Sequence, residues 1–405
     1  MRVLLSTYGS RGDVEPIMGL AVQLRALGAE VRICAPPDFA ELVTRIGVQI
    51  VPVGRSARAA VHGDKPLTHA DAPRMAADLV AARFEVVGAA AEGCDALLAT
   101  GMMPASERTI AETLGIPYVF ASFIPPVLPS PHHSPLPRPG KPFPPNPSDN
   151  GVLWDIDAER LQTLYGVPLN SHRAALGLPT VENVRDHVFT DQPWLAADPV
   201  LGPWPASSDR HVVQTGAWLL PDERPLPADL KAFLDAGAPP VFVGLGSMRA
   251  PDDITRVFIE AIRTQGRRVL LGRGWADLTL SDDRDDCFAI GEVNHQALFQ
   301  RVAAVVHHGG AGTTTTVARS GAPQVVVPQI VDQPYWAGRV ATLGIGAAHA
   351  GPTPTIESLS VALGKALLPE TRARASALAG TIRTDGAMVA AQLLVAMAST
   401  STRKS

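Results

Sequence analysis

Three segments of this 405-residue chain hold residue types that chemistry needs, at spacings that let them act together. The sharpest is His307-His308-Gly309-Gly310-Ala311-Gly312-Thr313-Thr314-Thr315-Thr316, which follows the apolar run Ala304–Val306 and opens a helical stretch. A strand, a glycine-rich turn and a helix N-terminus make a natural anion site, because unpaired backbone N–H groups and the helix dipole face the ligand. Glycine lets the backbone come close, and the threonine hydroxyls can add hydrogen bonds. The Lys-Ser/Thr pair of a nucleotide P-loop is missing, and the turn does not follow the first strand as a dinucleotide fingerprint would. A plain tight strand-to-helix turn would use the same glycines. Two adjacent histidines on a strand face opposite sides and make poor joint metal ligands.

The second segment, Val327-Pro328-Gln329-Ile330-Val331-Asp332-Gln333-Pro334, ends the next strand, so its loop opens on the same sheet edge. Asp332 and Gln333 are short polar groups suited to sugar hydroxyls. Asp332 equally fits a helix N-cap, with Pro334 at an early helical position. The third segment is Ser6-Thr7-Tyr8-Gly9-Ser10-Arg11-Gly12-Asp13-Val14-Glu15-Pro16, at the end of the first strand. Asp13 can serve there as an N-cap or as a general base.

These segments need elements to hold them. Val3–Leu5, Val31–Cys34, Ile50–Val53, Ala96–Ala99 and Tyr118–Ala121 read as buried strands. Helical patterns fall at about 17–27, 38–46, 72–92 and 106–114. The alternation restarts near residue 240, with strands at Val241–Val243, Val269–Leu271, Phe288–Ile290, Ala304–Val306 and Val325–Val327. Helices are expected at about 254–264, 296–301, 313–319 and 333–343. Such alternation means βαβ units and parallel sheets, so the expected class is α/β with two Rossmann-like doubly wound domains in series. Eleven prolines in positions 125–147 forbid helix and sheet interiors there. The Pro-, Asp- and Ser-rich stretch at about 194–216 sits where a linker belongs. The expected domains are 1–203, a linker at 204–216, and 217–385.

Composition narrows the classes. Apolar residues make up 46% and charged residues 18%, which excludes global disorder. A net charge of −4 gives no electrostatic reason to bind nucleic acid. Cys34, Cys94 and Cys287 are odd in number and widely spaced, so they read as reduced thiols rather than a disulfide framework. Neither a signal peptide nor an apolar run of membrane-spanning length is present, so a soluble cytoplasmic protein is expected. The acidic run Asp282–Asp286 and the pairs Asp252-Asp253 and His132-His133 read as solvated surface groups, and no metal site is expected.

Together the three segments resemble the nucleotide-sugar glycosyltransferases of the metal-independent, two-Rossmann-domain (GT-B) type. Among them the chain looks most like the bacterial enzymes that glycosylate vancomycin-group glycopeptide antibiotics. The resemblance covers essentially the whole chain and includes Gly246-Ser247 and Gly291-Glu292-Val293-Asn294. It implies two domains facing across a cleft, with a C-terminal helix, 386–405, returning to the first. It implies Asp13 as the general base. Ser10, Arg11, Ser247, His308, Gly309, Gly310, Ala311, Gly312 and Thr313 would hold the donor diphosphate, Val293 the base, and Asp332 with Gln333 the donor sugar. The implied reaction is an inverting transfer of a hexose or deoxyhexose from a UDP- or TDP-sugar to a glycopeptide aglycone. The nucleotide sugar is then a co-substrate, no cofactor is expected, and the chain is expected to work as a monomer without membrane or nucleic-acid partners. The Gly-Ser-Arg-Gly-Asp-Val opening is also similar to that of sterol and macrolide glycosyltransferases. A non-catalytic auxiliary partner or a nucleotide-sugar epimerase would share the architecture.

Overall fold

The computed structural model describes residues 1–62, 69–137, 142–144, 149–205, 211–251 and 253–402. Asp252, residues 206–210 of the expected linker, 138–141 and 145–148 of the proline-rich stretch, and 403–405 of the expected C-terminal helix lie outside them. The chain forms two compact units, 1–198 with 203–220 and 384–405, and 199–202 with 221–383.

The first unit is built on seven parallel strands: β1 (Arg2–Tyr8), β2 (Glu30–Ala35), β3 (Gln49–Pro52), β4 (Ala96–Gly101), β5 (Tyr118–Ser122), β6 (Trp194–Leu195) and β7 (Val213–Gln214), in the order β3-β2-β1-β4-β5-β6-β7. The second has β8 (Val241–Gly244), β9 (Val269–Gly272), β10 (Cys287–Ile290), β11 (Ala304–His307), β12 (Gln324–Val326) and β13 (Gly346–Ala348), in the order β10-β9-β8-β11-β12-β13. Each sheet therefore reverses direction once, between β1 and β4 and between β8 and β11. Those reversals are where open α/β sheets bind ligands, beyond the carboxyl ends of the strands. The central strands are apolar on both faces because helices cover both. Val3, Leu4 and Leu5, like Val241, Val243, Val305 and Val306, are fully buried.

Several elements depart from the sequence reading. The first helix runs Arg11–Ala26, six residues earlier than expected, which places Asp13 inside its first turn. A 26-residue helix, Asn150–Ala175, went unread because Gly151, Gly166 and Pro168 interrupt its pattern. Strand β13, Gly-Ala-Ala, has no β-branched residue to mark it. The expected linker is in part sheet: β6 and β7 pair with each other, Trp194 with Val213 and Leu195 with Gln214. The second unit's continuous run begins at Pro221 rather than at 217.

The C-terminal helix, Gly386–Thr402, packs on the first helix within the first unit. Its start crosses closely: a Cβ on Gly386 would lie 2.5 Å from the Ala217 carbonyl oxygen. Ala390, Ala391 and Leu394 are fully buried, and removing that apolar cover costs several kcal/mol at about 25 cal/mol per Å2. Truncation after Thr384 should lower amide protection in the first unit and leave the second unit's protection intact. Hydrogen exchange showing equal losses in both units would contradict the anchoring role.

Candidate functional site

In the first unit the loop after β1 turns directly into a helix. Ser10 is the N-cap, and its hydroxyl accepts from the Gly12 N–H at 3.4 Å. Asp13 closes the capping box, with Oδ2 accepting the Ser10 N–H at 2.8 Å. The cap is thus Ser10, and Asp13 is the acidic residue three positions on. Its carboxylate lies over Gly9, where a Cβ would come 2.1 Å from Oδ2, so only glycine fits beneath it. Arg11 forms an ion pair with Glu15 at 2.6 Å.

In the second unit four loops converge at the carboxyl ends of β8, β9, β11 and β12. The His308 ring stands between Gly246 and Gly310, where added Cβ atoms would lie 2.9 and 2.7 Å from it. The Trp275 N–H donates to the Gly246 carbonyl at 2.9 Å. A Cβ on Gly309, at φ +94°, would meet Val326 at 2.6 Å and the Gln333 carbonyl at 3.2 Å. Met248 Sδ accepts from Gln333 Nε2 at 3.5 Å. Ser247, His308, Gly309, Gly310 and Gln333 therefore belong to one cluster of loops. Val293 stands apart, after the edge strand β10, half-buried against the core that holds Phe242 and Leu298.

The helix Ala311–Ser320 begins at Gly310 with no side-chain cap. Among the described residues the N–H groups of Ala311, Gly312 and Thr313 have no hydrogen-bond partner. These are the donors an anionic ligand requires. The hydroxyls of Thr314, Thr315 and Thr316 donate back to Gly310, Ala311 and Gly312 at 2.9–3.0 Å, so they serve the helix rather than adding donors to the turn.

His307 sets this turn, a role that its place in the segment does not announce. It is fully buried, its Nδ1 accepts the Gly309 N–H at 3.0 Å, and its Nε2 meets Gln324 Oε1 at 2.9 Å. Accepting at Nδ1 places the proton on Nε2, which donates to Gln324. Gln324 in turn donates to the Thr314 carbonyl at 3.3 Å. The sequence signal was a lone glutamine opening the apolar strand Val325–Val327, since a buried amide demands a partner.

Burial pushes the His307 imidazole down to about 3, helped by neighbouring His308, and pushes His308 down to about 4. Both are neutral at physiological pH, so the turn offers hydrogen-bond donors and not a fixed imidazolium. A histidine buried neutral binds fewer protons folded than unfolded. Its contribution to stability is complete above pH 6.5 and is lost as pH falls toward these lowered values. His187 in the first unit, pushed down to about 4 by burial, has the same sign. The melting temperature should fall steadily from pH 6.5 to 4, and a flat profile would contradict neutral burial.

Asp332 and Gln333 divide their work. Gln333, 5% exposed, accepts from the Gln329 and Ile330 N–H groups at 2.7 and 3.1 Å and so holds its own loop. Asp332 accepts from Trp336 Nε1 at 2.9 Å, and burial raises its carboxyl to about 6. The preceding Val331 sits at φ +55°, a strained conformation for a β-branched residue. A raised carboxyl destabilises the fold progressively from about pH 4 to pH 6 and fully above it. Asp332→Asn should therefore stabilise at pH 7.5 by about 1–3 kcal/mol, seen as a higher melting temperature, while impairing donor use. Equal or lower stability would contradict the burial cost.

Other polar groups are structural. Arg263 bridges Asp282 and Asp286 through four hydrogen bonds of 2.6–2.9 Å, so the two ends of this run form an ion-pair network, while Asp283 and Asp285 between them are exposed as expected. With Cys287 these two aspartates are the one group of potential metal ligands among the described residues. His133 is half-buried rather than a free surface group: its ring meets those of Trp154 and Trp204 edge-on, 5.8 Å away in both cases. Asp253 is exposed, and the three cysteines are free and buried.

The glycosyltransferase family 28 N-terminal domain profile matches residues 3–130, and the erythromycin biosynthesis protein CIII-like C-terminal domain profile matches residues 284–389. The chain is 60% identical to glycosyltransferase GtfE of Amycolatopsis orientalis over 98% of its own length and 97% of the relative's. It is 58% identical to the vancomycin aglycone glucosyltransferase of the same organism, with the same coverage. The solved glycosyltransferase of kitacinnamycin superposes with a TM-score of 0.73 at 22% identity, covering 98% of each chain. Identity of this extent, on two parallel-sheet Rossmann-like units, settles the relationship: the chain belongs to the vancomycin-group glycosyltransferases and is a glycosyltransferase of the GT-B fold.

Proposed function

We propose that this glycosyltransferase moves a hexose or deoxyhexose from a UDP- or TDP-sugar to a hydroxyl of a vancomycin-type glycopeptide aglycone, inverting the anomeric centre and using no metal. The observation that carries the donor half is the uncapped helix at Gly310, with three unpaired N–H groups beside a neutral His308. Departure of a nucleoside diphosphate builds negative charge, which fixed backbone donors stabilise without reorganising. Asp13 supplies the other requirement, a carboxylate to take the acceptor hydroxyl's proton as the oxygen attacks the anomeric carbon. Asp332 fits a contact to donor-sugar hydroxyls, and Val293 a backbone contact to the pyrimidine. Among the described residues the one group of potential metal ligands, Asp282, Asp286 and Cys287, has its two carboxylates paired to Arg263. No helix among the described residues is long and apolar enough to cross a membrane, and we read the chain as a cytoplasmic monomer.

The test is a panel of UDP- and TDP-sugars offered with aglycone heptapeptide in EDTA, read by mass spectrometry. A product heavier by one sugar is expected. Donor consumption without a glycoside, or a requirement for Mg2+ or Mn2+, would overturn the proposal.

A further inference from the structure

Beside Asp13, the first sheet's reversal point carries a second loop, the one after β4. Gly101, at φ +79°, ends that strand, and a Cβ there would lie 2.6 Å from the Tyr8 carbonyl oxygen. The Met102 N–H donates to the same oxygen at 2.8 Å. Met102 is thus tied to the residue preceding Gly9, on which the Asp13 carboxylate rests. The residue is 44% exposed.

A buried ion pair holds this exposed residue. Arg83 and Glu107 are both fully buried and meet at 3.1 Å, and Ser6 of β1 donates to Glu107 at 2.8 Å. The two arms of Arg83 donate to successive carbonyls, Met102 at 2.8 Å and Met103 at 2.6 Å. Burying two charges is costly, and an apolar pair of like volume often serves stability as well. What the guanidinium fork does that an apolar pair cannot is fix two adjacent carbonyls in one plane. Isolated exposed apolar side chains are common. One whose N–H and C=O are both clamped, at a sheet reversal beside a candidate base, is placed for contact.

We infer that Met102 is an acceptor contact, presenting its polarizable thioether to an aromatic face of the acceptor, and that Arg83 is the positioning residue that aims it. This rests on the reading of the first unit as the acceptor unit.

The experiment measures acceptor and donor KM in the full chain with glycopeptide aglycone as acceptor. Met102→Ala should raise acceptor KM roughly 5–20-fold, as expected for losing an apolar and sulfur–aromatic contact, with donor KM within about twofold of the parent. Met102→Leu should fall between the two. The double variant Arg83→Met with Glu107→Gln removes both charges together and should raise acceptor KM similarly. If it does not fold, Arg83→Lys, which keeps the charge but not the fork, must show the same selective rise. An unchanged acceptor KM in Met102→Ala, or equal rises in both KM values, overturns the contact. An unchanged acceptor KM in a folded Arg83 variant overturns the clamp. Asp13→Asn separates this from the underlying reading: full turnover there refutes the base, whatever Met102 does.

Discussion

Asp13→Asn should lower kcat by roughly 10²–10⁴-fold, the range for removing a positioned general base. Donor affinity should hold. The structure makes the variant clean, because asparagine keeps an oxygen that can accept the Ser10 N–H now bound at 2.8 Å. Stability should therefore change by less than about 1 kcal/mol. Asp13→Ala loses the capping contact as well and should cost about 1 kcal/mol in addition. Comparing the two separates base from cap. If Asp13→Asn turns over near normally while Asp13→Ala is merely less stable, Asp13 caps the helix Arg11–Ala26 and does no chemistry.

His308→Ala should weaken binding of the nucleoside diphosphate by roughly 10–100-fold and that of the free nucleoside by far less, since hydrogen bonds to charged groups are worth about 1.5–3 kcal/mol. The ring lies against Gly246 and Gly310, so its loss also removes a wall of the turn. In the free protein His308 is neutral, held near 4 by burial. A diphosphate arriving beside it favours the protonated ring, so binding near pH 5–6 should take up a fraction of a proton. Calorimetry in buffers of different ionisation enthalpy reads both effects. Equal losses for diphosphate and nucleoside would remove His308 from the phosphate site.

The sheets were legible because their strands are continuous apolar runs such as Val3–Leu5 and Ala304–Val306, a pattern that buried parallel strands impose. The two short strands at one end of the first sheet were not: Trp194–Leu195 and Val213–Gln214 lie in proline- and serine-rich sequence, where pairing depends on long-range contacts. In the site, the glycine-rich turn and Asp13 could be read from residue type and position. Roles fixed by burial could not. Gln333 reads as a sugar ligand, yet its amide oxygen accepts two N–H groups of its own loop. His307 and His308 look alike in sequence, but one is sealed under the turn and the other flanks it. The Arg83–Glu107 pair spans 24 residues and two helices, and no local pattern announces it.

The most direct test of an inverting glycosyl transfer is the anomeric configuration of the product. The full-length chain would be incubated in EDTA with glycopeptide aglycone and an α-linked nucleotide sugar, and the purified glycoside examined by proton NMR. Single displacement assisted by Asp13 predicts a β-glycoside, marked by a large coupling between the sugar's H1 and H2 for a gluco-configured donor. An α-glycoside, or free sugar with the aglycone unchanged, would contradict it.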